Sequence, residues 1–155
     1  RESLARLKAV DLMAVNGGPP AGGGFPMRLV ADRARALRGT AERTVDSFSG
    51  ETVHAVAGIG HPQRFFAALR RRGLTVVEHA FADHYAFEPR DLDFSDSRPV
   101  LMTEKDAVKC RTFARDGWWA VPVSAHFEAR AGEVLVATVL GKLGRTINGP
   151  GKEPI

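Results

Sequence analysis

The sequence predicts an α/β fold with a mostly parallel sheet flanked by helices, on three observations. Short apolar runs at residues 53–57, 74–79, 98–102 and 118–123 are separated by segments that suit helices. The run at 53–57 (Val, His, Ala, Val, Ala) is a small-residue strand that suits a sheet covered on both faces. Between residues 52 and 79 a strand, a helix and a strand follow one another, the unit that joins parallel strands by a right-handed crossover.

The 155 residues are enough for one ordinary domain with a proper core, and 44% hydrophobic with 26% charged residues is a globular composition. Residues 1–145 are expected to form one α/β domain, followed by a flexible tail at 146–155. Cys110 is the only cysteine, which excludes a disulfide framework and suits a reducing compartment. No run approaches the ~18 apolar residues of a membrane-spanning helix. The first residues carry neither an initiator Met nor an apolar signal core, so the chain is expected to begin inside a larger protein. A net charge of +4 weakly favours anionic partners. The basic groups Arg33, Arg35, Arg38 and Arg70, Arg71, Arg72 lack interleaved aromatics, so no nucleic-acid partner is expected. A solvated basic face is favoured over a phosphate-facing patch.

In chain order, Ser3 can cap a short helix bearing Leu4 and Leu7. Residues 10–15 read as a strand ending at Asn16 and Gly17, and the Gly/Pro-rich piece to Pro26 as a surface loop without the lysine and hydroxyl of a P-loop. Residues 27–31 alternate loosely, and 31–37 are open to helix or strand. After the turn at 47–50 and the strand at 53–57, Pro62 suits the first position of a helix that buries Phe65, Phe66 and Leu69 and stops at Gly73. A strand at 74–79 follows, then a short helix near Pro89 and a strand at 98–102. A helix then runs from 103 through Cys110 to Phe113, and residues 118–123 form the last strand. The spacing of Leu135, Val136, Val139, Leu140 and Leu143 predicts a closing helix over 134–143.

In parallel sheets ligands bind beyond the carboxyl ends of the strands. Three stretches are expected there: Gly58 and Gly60 with His61; Asp83 with His84; and Thr103, Glu104, Lys105 and Asp106. Gly58 and Gly60 resemble the start of a dinucleotide fingerprint, but Gln63 stands where the third glycine is needed, so a plain tight turn is favoured over a nucleotide-facing one. Thr103 and Asp106 fit a capping box, each satisfying helix-end amides. Lys105 sits in a first helical turn, where the dipole disfavours a cation, so it is expected to face an anion. His84 is the leading candidate for catalysis. On an extended backbone Asp83 would point away from it, so the carboxylate orienting a basic His84 is expected from elsewhere in the fold. His54, His61, His79 and His126 have ordinary strand, turn or loop readings, no His/Cys spacing suggests a metal site, and Cys110 reads as a packed helix residue.

Four pieces give the chain a resemblance to the tetraacyldisaccharide 4'-kinase family of lipid A biosynthesis in Gram-negative bacteria. They are Arg1-Glu2 through Val15, Asn16 and Gly17; residues 57–66 (Ala-Gly-Ile-Gly-His-Pro-Gln-Arg-Phe-Phe); Ala82, Asp83 and His84; and residues 101–111 (Leu-Met-Thr-Glu-Lys-Asp-Ala-Val-Lys-Cys-Arg). Trp118, Trp119, Pro122 and Val123 follow at the family's spacing. The resemblance covers about residues 1–125, and the block from Thr103 to Cys110 is its most specific part. It implies a P-loop-kinase-like three-layer fold. It also implies transfer of the ATP γ-phosphate to the 4'-hydroxyl of a tetraacyldisaccharide 1-phosphate, with Mg²⁺, at the cytoplasmic face of the inner membrane. In that family the histidine at the position of His84 works with an aspartate from the N-terminal half. No GxxxxGK[ST] occurs here. The chain is therefore expected to be the C-terminal portion of such a kinase, partnered by a P-loop domain that holds most of the ATP and Mg²⁺ contacts, and inactive alone. The alternative is a non-catalytic α/β module that binds a nucleotide or a partner domain.

Overall fold

A computed structural model describes residues 9–17 and 24–144. Its strands and helices are β1 (Ala14–Asn16), β2 (Phe25–Val30), β3 (Arg33–Ala36), β4 (Glu42–Thr44), β5 (Thr52–Ala57), α1 (Pro62–Arg70), β6 (Thr75–Ala80), β7 (Val100–Thr103), α2 (Glu104–Cys110), β8 (Trp118–Val121), β9 (Ser124–Phe127) and α3 (Ala129–Lys142). Short 3-10 turns occupy Val45–Phe48, Pro89–Leu92 and Arg111–Phe113. The chain divides into two compact units, Ala31–Ser124 and the pair of segments Arg1–Val30 and Ala125–Ile155.

The larger unit is layered by the alternation of side chains along β5. Val53, Ala55 and Ala57 face one side, where they join Phe65, Phe66 and Leu69 of α1, Leu101 of β7 and Phe48. Val56 faces the other side with Val100 and Met102 of β7, Ala107 and Cys110 of α2, and the loop residues Phe87 and Leu92. Both faces of the sheet are thus covered, which is why β5 shows no polar alternation. The sheet order is β4-β3-β8-β7-β5-β6. β6, β5, β7 and β8 are mutually parallel, and β3 and β4 extend the sheet as an antiparallel hairpin beside β8.

Pro62 opens α1, where its missing N–H has no intrahelical partner to lose. Just past the end of α1, Gly73 takes a φ of +82°, and a Cβ there would stand 2.5 Å from Ser49 Oγ. Glycine is needed at that turn both for its backbone and for its lack of bulk. Several arginines of the two basic groups are ion-paired. Arg70 pairs with Glu78, Arg72 with Asp32 and Asp46, and Arg33 and Arg35 share Glu42. That is the solvated basic face the sequence favours.

In the smaller unit, β1, β2 and β9 form a three-stranded sheet in that order, with β1 and β2 parallel, and α3 packs along β2. Lys142 of α3 pairs with Asp11.

Several elements differ from the sequence-based expectation. The strand expected at 10–15 is confined to Ala14–Asn16, and β2 begins inside the expected loop, at Phe25. Residues 31–37, open to either state, contribute β3. The helix expected to reach Phe113 tightens into a 3-10 turn at Arg111. β8 stops at Val121 because Pro122 has no N–H to give a ladder, and it is not the last strand: β9 follows and includes His126. α3 starts at Ala129, and no described residue of it is fully buried; Val134, Val136, Val139 and Leu143 are exposed. The helix suggested around Ser3 and the tail after Gly144 lie outside the described residues.

Phe66, fully buried between α1 and the sheet, anchors one face of the larger unit. Phe66→Ala is expected to lower the unfolding free energy by about 3–5 kcal/mol, read from urea denaturation curves.

Candidate functional site

β5, β6, β7 and β8 run parallel, so their carboxyl ends share one edge of the larger unit. α1, which follows β5, packs on one face of the sheet and α2, which follows β7, on the other, so the connections leaving these neighbouring strands diverge. The crevice between the ends of β5 and β7 is the position where open parallel sheets bind ligands. Gly58 follows β5 there, and Thr103 closes β7.

Asp106 fills the crevice. It is fully buried in the first turn of α2. Its carboxylate accepts hydrogen bonds from the Gly58 amide (2.8 Å), the Thr103 hydroxyl (2.6 Å) and Lys109 Nζ (3.1 Å). Thr103 Oγ1 in turn accepts the Asp106 amide at 3.2 Å, which caps the helix. Only half of the expected capping box is therefore formed. The Asp106 carboxylate crosses to the turn after β5, because that amide is buried and has no strand partner. The turn can come so close only because residue 58 is glycine. A Cβ at Gly58 would stand 3.1 Å from Asp106 Oδ1 and 3.3 Å from the Ala82 carbonyl oxygen. Gly60 is looser, its nearest neighbour for a Cβ being Asp83 Oδ2 at 4.0 Å.

Asp83 and His84 stand beyond β6, on a turn closed by the Tyr85 amide donating to the Ala82 carbonyl at 3.1 Å. His84 has a φ of +64° and is the only non-glycine among the described residues with positive φ. That left-handed backbone costs about 1–2 kcal/mol for an L residue. The expectation that Asp83 and His84 diverge is corrected here, because it assumed an extended backbone. His84 Nε2 lies 3.7 Å from Asp83 Oδ2, within ion-pair range, although too long for a hydrogen bond. Asp83 Oδ1 also accepts the His84 amide at 3.0 Å and Lys105 Nζ at 2.8 Å. The Lys105 hydrogen bond, helped by the charges of His84 and Lys105, holds the Asp83 carboxyl below its usual range, against a smaller effect of burial. Lys105 thus faces an anion, as expected, and that anion belongs to the chain itself. Glu104 is exposed on the same turn of α2. The three stretches expected at this edge therefore meet: Asp106 binds Gly58, and Lys105 binds Asp83.

Two groups were missed. Lys109 reaches the Asp106 carboxylate and also donates to the Tyr85 carbonyl at 3.0 Å. Its spacing of four from Lys105, on one face of α2, was the available signal. The second group is His54, His79 and Asp96. His54, buried in β5, has Nδ1 2.8 Å from His79 Nε2 and Nε2 3.0 Å from Asp96 Oδ1. With His54 donating to the carboxylate, its other nitrogen must accept from His79. Phe94 stacks on both rings at 4.0 and 4.2 Å. A histidine inside an otherwise apolar, doubly covered strand needs partners, and that requirement was legible at His54. Its partners, 25 and 42 residues away, were not. Burial, then the neighbouring His54, lowers the pKa of His79.

Cys110 is buried, and burial with the nearby Asp106 charge raises its thiol to about 11, which suits a packing role. Among the described residues no group of three or more His, Cys, Asp or Glu side chains could hold a metal ion. Asp106 is committed to three donors and Asp83 to a lysine, so these two carboxylates do not fit a divalent cation.

This fold and edge define an α/β protein with a mostly parallel sheet and its candidate site at the carboxyl ends of the strands. A crystal structure of LpxK from Aquifex aeolicus, described as an "apo" form in complex with ATP, superposes with a TM-score of 0.63 at 22% identity, over 91% of this chain and 45% of that one. The profile of the Tetraacyldisaccharide-1-P 4'-kinase family matches residues 1–140. The tetraacyldisaccharide 4'-kinase of Methylobacillus flagellatus is 47% identical over 138 residues, 88% of this chain and 41% of that protein. That of Aeromonas salmonicida is 49% identical over 145 residues, 92% of this chain and 42% of that protein. The chain belongs to the tetraacyldisaccharide-1-P 4'-kinase family, and it spans about two-fifths of the length of the curated relatives it matches.

His79 sets a pH dependence. A histidine whose folded pKa lies below its ordinary 6.5 takes up its proton more readily when unfolded. Its contribution is complete above 6.5 and is lost as pH falls through the folded value. Stability measured by denaturant midpoint should therefore fall below pH 6.5. His79→Gln, which keeps an N–H donor toward His54 but cannot titrate, is expected to flatten that slope.

Proposed function

We propose that this chain is the C-terminal portion of a kinase that moves the γ-phosphate of ATP to the 4'-hydroxyl of a tetraacyldisaccharide 1-phosphate. In this reading His84 accepts the proton of that hydroxyl as the oxygen attacks phosphorus and ADP leaves. The observation that carries it is the state of His84: exposed, in a sterically costly backbone conformation, beside a carboxylate at the ligand-binding edge of a parallel sheet. Such strain persists where the surroundings impose it, and it clusters at sites of function. Asp83, kept ionised by Lys105, favours the imidazolium that forms once the proton is taken. The aspartate that orients His84 from the other side is contributed by the N-terminal part of the kinase.

Mg²⁺, when bound, neutralises charge on the phosphates, and its ligands belong to that N-terminal part, together with the P-loop and most contacts to ATP. Gly58, Gly60, Thr103, Glu104, Lys105 and Asp106 shape the wall of the shared site. Asp106 does so by holding the turn after β5, and Lys105 by fixing Asp83. The whole enzyme works at the cytoplasmic face of the inner membrane, against the membrane surface that holds its lipid substrate. No helix among the described residues is long and apolar enough to cross a bilayer.

In the full-length enzyme, His84→Ala should lower kcat by about 10²–10⁴-fold with ATP affinity nearly unchanged, as loss of a general base predicts. Weakened ATP binding with unchanged turnover of the bound complex would instead favour a binding module. The chain alone should show no lipid-dependent ATP turnover, and measurable turnover by it would overturn the proposed division of labour.

A further inference from the structure

We infer that Lys109 is a positioning residue for His84, acting from the far end of α2 through the Tyr85 carbonyl. The inference rests on the reading of His84 as the base. Among the hydrogen bonds and ion pairs of the described residues, the imidazole has one contact, the 3.7 Å approach to Asp83. No other hydrogen bond or ion pair of the described residues holds the ring, so what this chain contributes to its direction comes through the backbone that carries it. That backbone is left-handed and sterically costly, and it holds only if the residues on both sides of it are pinned.

Both sides are pinned by one helix. Lys105 Nζ binds Asp83 Oδ1 at 2.8 Å, on the side before His84. Lys109 Nζ binds the Tyr85 carbonyl at 3.0 Å, on the side after it. The two lysines are four residues apart and leave α2 from one face. Lys109 is the stiffer arm. It is anchored by the fully buried Asp106 at 3.1 Å, and its ammonium lies 5.4 Å from the Phe87 ring centroid. Phe87 in turn packs edge-on against the Tyr85 ring, with centroids 5.2 Å apart. The residue after His84 is thus held through both its carbonyl and its ring. Through Asp106, the same anchor reaches the Gly58 turn.

The test uses the full-length kinase, with Asp106→Asn compared against Asp106→Asn/Lys109→Met. Asp106→Asn keeps the lysine, partly exposed and within reach of the Tyr85 carbonyl, and the double variant removes that contact without leaving a buried carboxylate unpaired. The comparison therefore isolates the tether to Tyr85. The double variant is expected to have kcat about 100-fold below that of Asp106→Asn, with KM for ATP and lipid within a few-fold, as when a catalytic group is misplaced by an ångström. Equal kcat in the two variants would overturn the inference. The same comparison in a His84→Ala background should show no further loss, because the lysine acts through a ring that is gone. A loss of equal size there would show that Lys109 acts elsewhere, and would also overturn it. Should His84→Ala alone leave kcat unchanged, the base assignment fails separately, with the Lys109 comparison still readable in the parent enzyme.

Discussion

One buried carboxylate holds the carboxyl-end edge of the larger unit together. Asp106 is completely enclosed, a state an acidic side chain tolerates only when donors surround it. Its three donors come from three places: the turn after β5, the end of β7 and the third turn-face position of its own helix. Because β5 and β7 are neighbours at the point where the chain's connections diverge, a single side chain can close the crevice between them. The same contact explains Gly58, whose missing Cβ leaves the room the carboxylate occupies.

From that anchor the geometry of the histidine turn follows. Lys109 joins Asp106 to the Tyr85 carbonyl, and Lys105, one turn earlier, holds Asp83. The turn between them is thereby forced into a backbone that only glycine adopts freely, with a histidine at its centre. The histidine itself is left exposed and lightly held, as the role proposed for it requires. A histidine buried in hydrogen bonds, as His54 is, could not do this. The chain contains both kinds, and their surroundings separate the roles: His54 is enclosed by a carboxylate, a second imidazole and a phenyl ring, while His84 faces outward.

The parts of this arrangement that depend on local pattern were legible in the sequence. The strand at β5, the stripe of Phe65, Phe66 and Leu69, Pro62 at the start of α1 and the helix at α2 all follow from spacing and from proline and glycine chemistry. The convergence of Gly58, Asp83 and the first turn of α2 also followed, because parallel strands put their carboxyl ends together. What depended on non-local or unusual backbone was not legible. The turn at His84 was read as extended, and the positive φ that brings its side chain back toward Asp83 has no sequence signal at a histidine. The Thr103 and Asp106 pair looked locally complete, so the longer reach of Asp106 to Gly58 was hidden by a sufficient short-range account. β9 was missed because Ser124, Ala125, His126 and Phe127 carry little alternation, and its pairing with β2 spans most of the chain.

The way the edge uses its charges also limits what it can contribute to chemistry. Asp106 and Asp83 are both committed, one to three donors and one to Lys105, and a divalent cation would have to displace those bonds to use either of them. Displacing Lys109 from Asp106 would release Tyr85, and displacing Lys105 from Asp83 would release the other side of the histidine turn. Metal binding by Asp83 or Asp106 would therefore loosen the turn that carries His84. An arrangement that keeps His84 in place is incompatible with one that recruits its neighbours as metal ligands. In the kinase we propose, the two tasks are separated: this chain positions the base, and the metal and phosphates are held from the opposite wall.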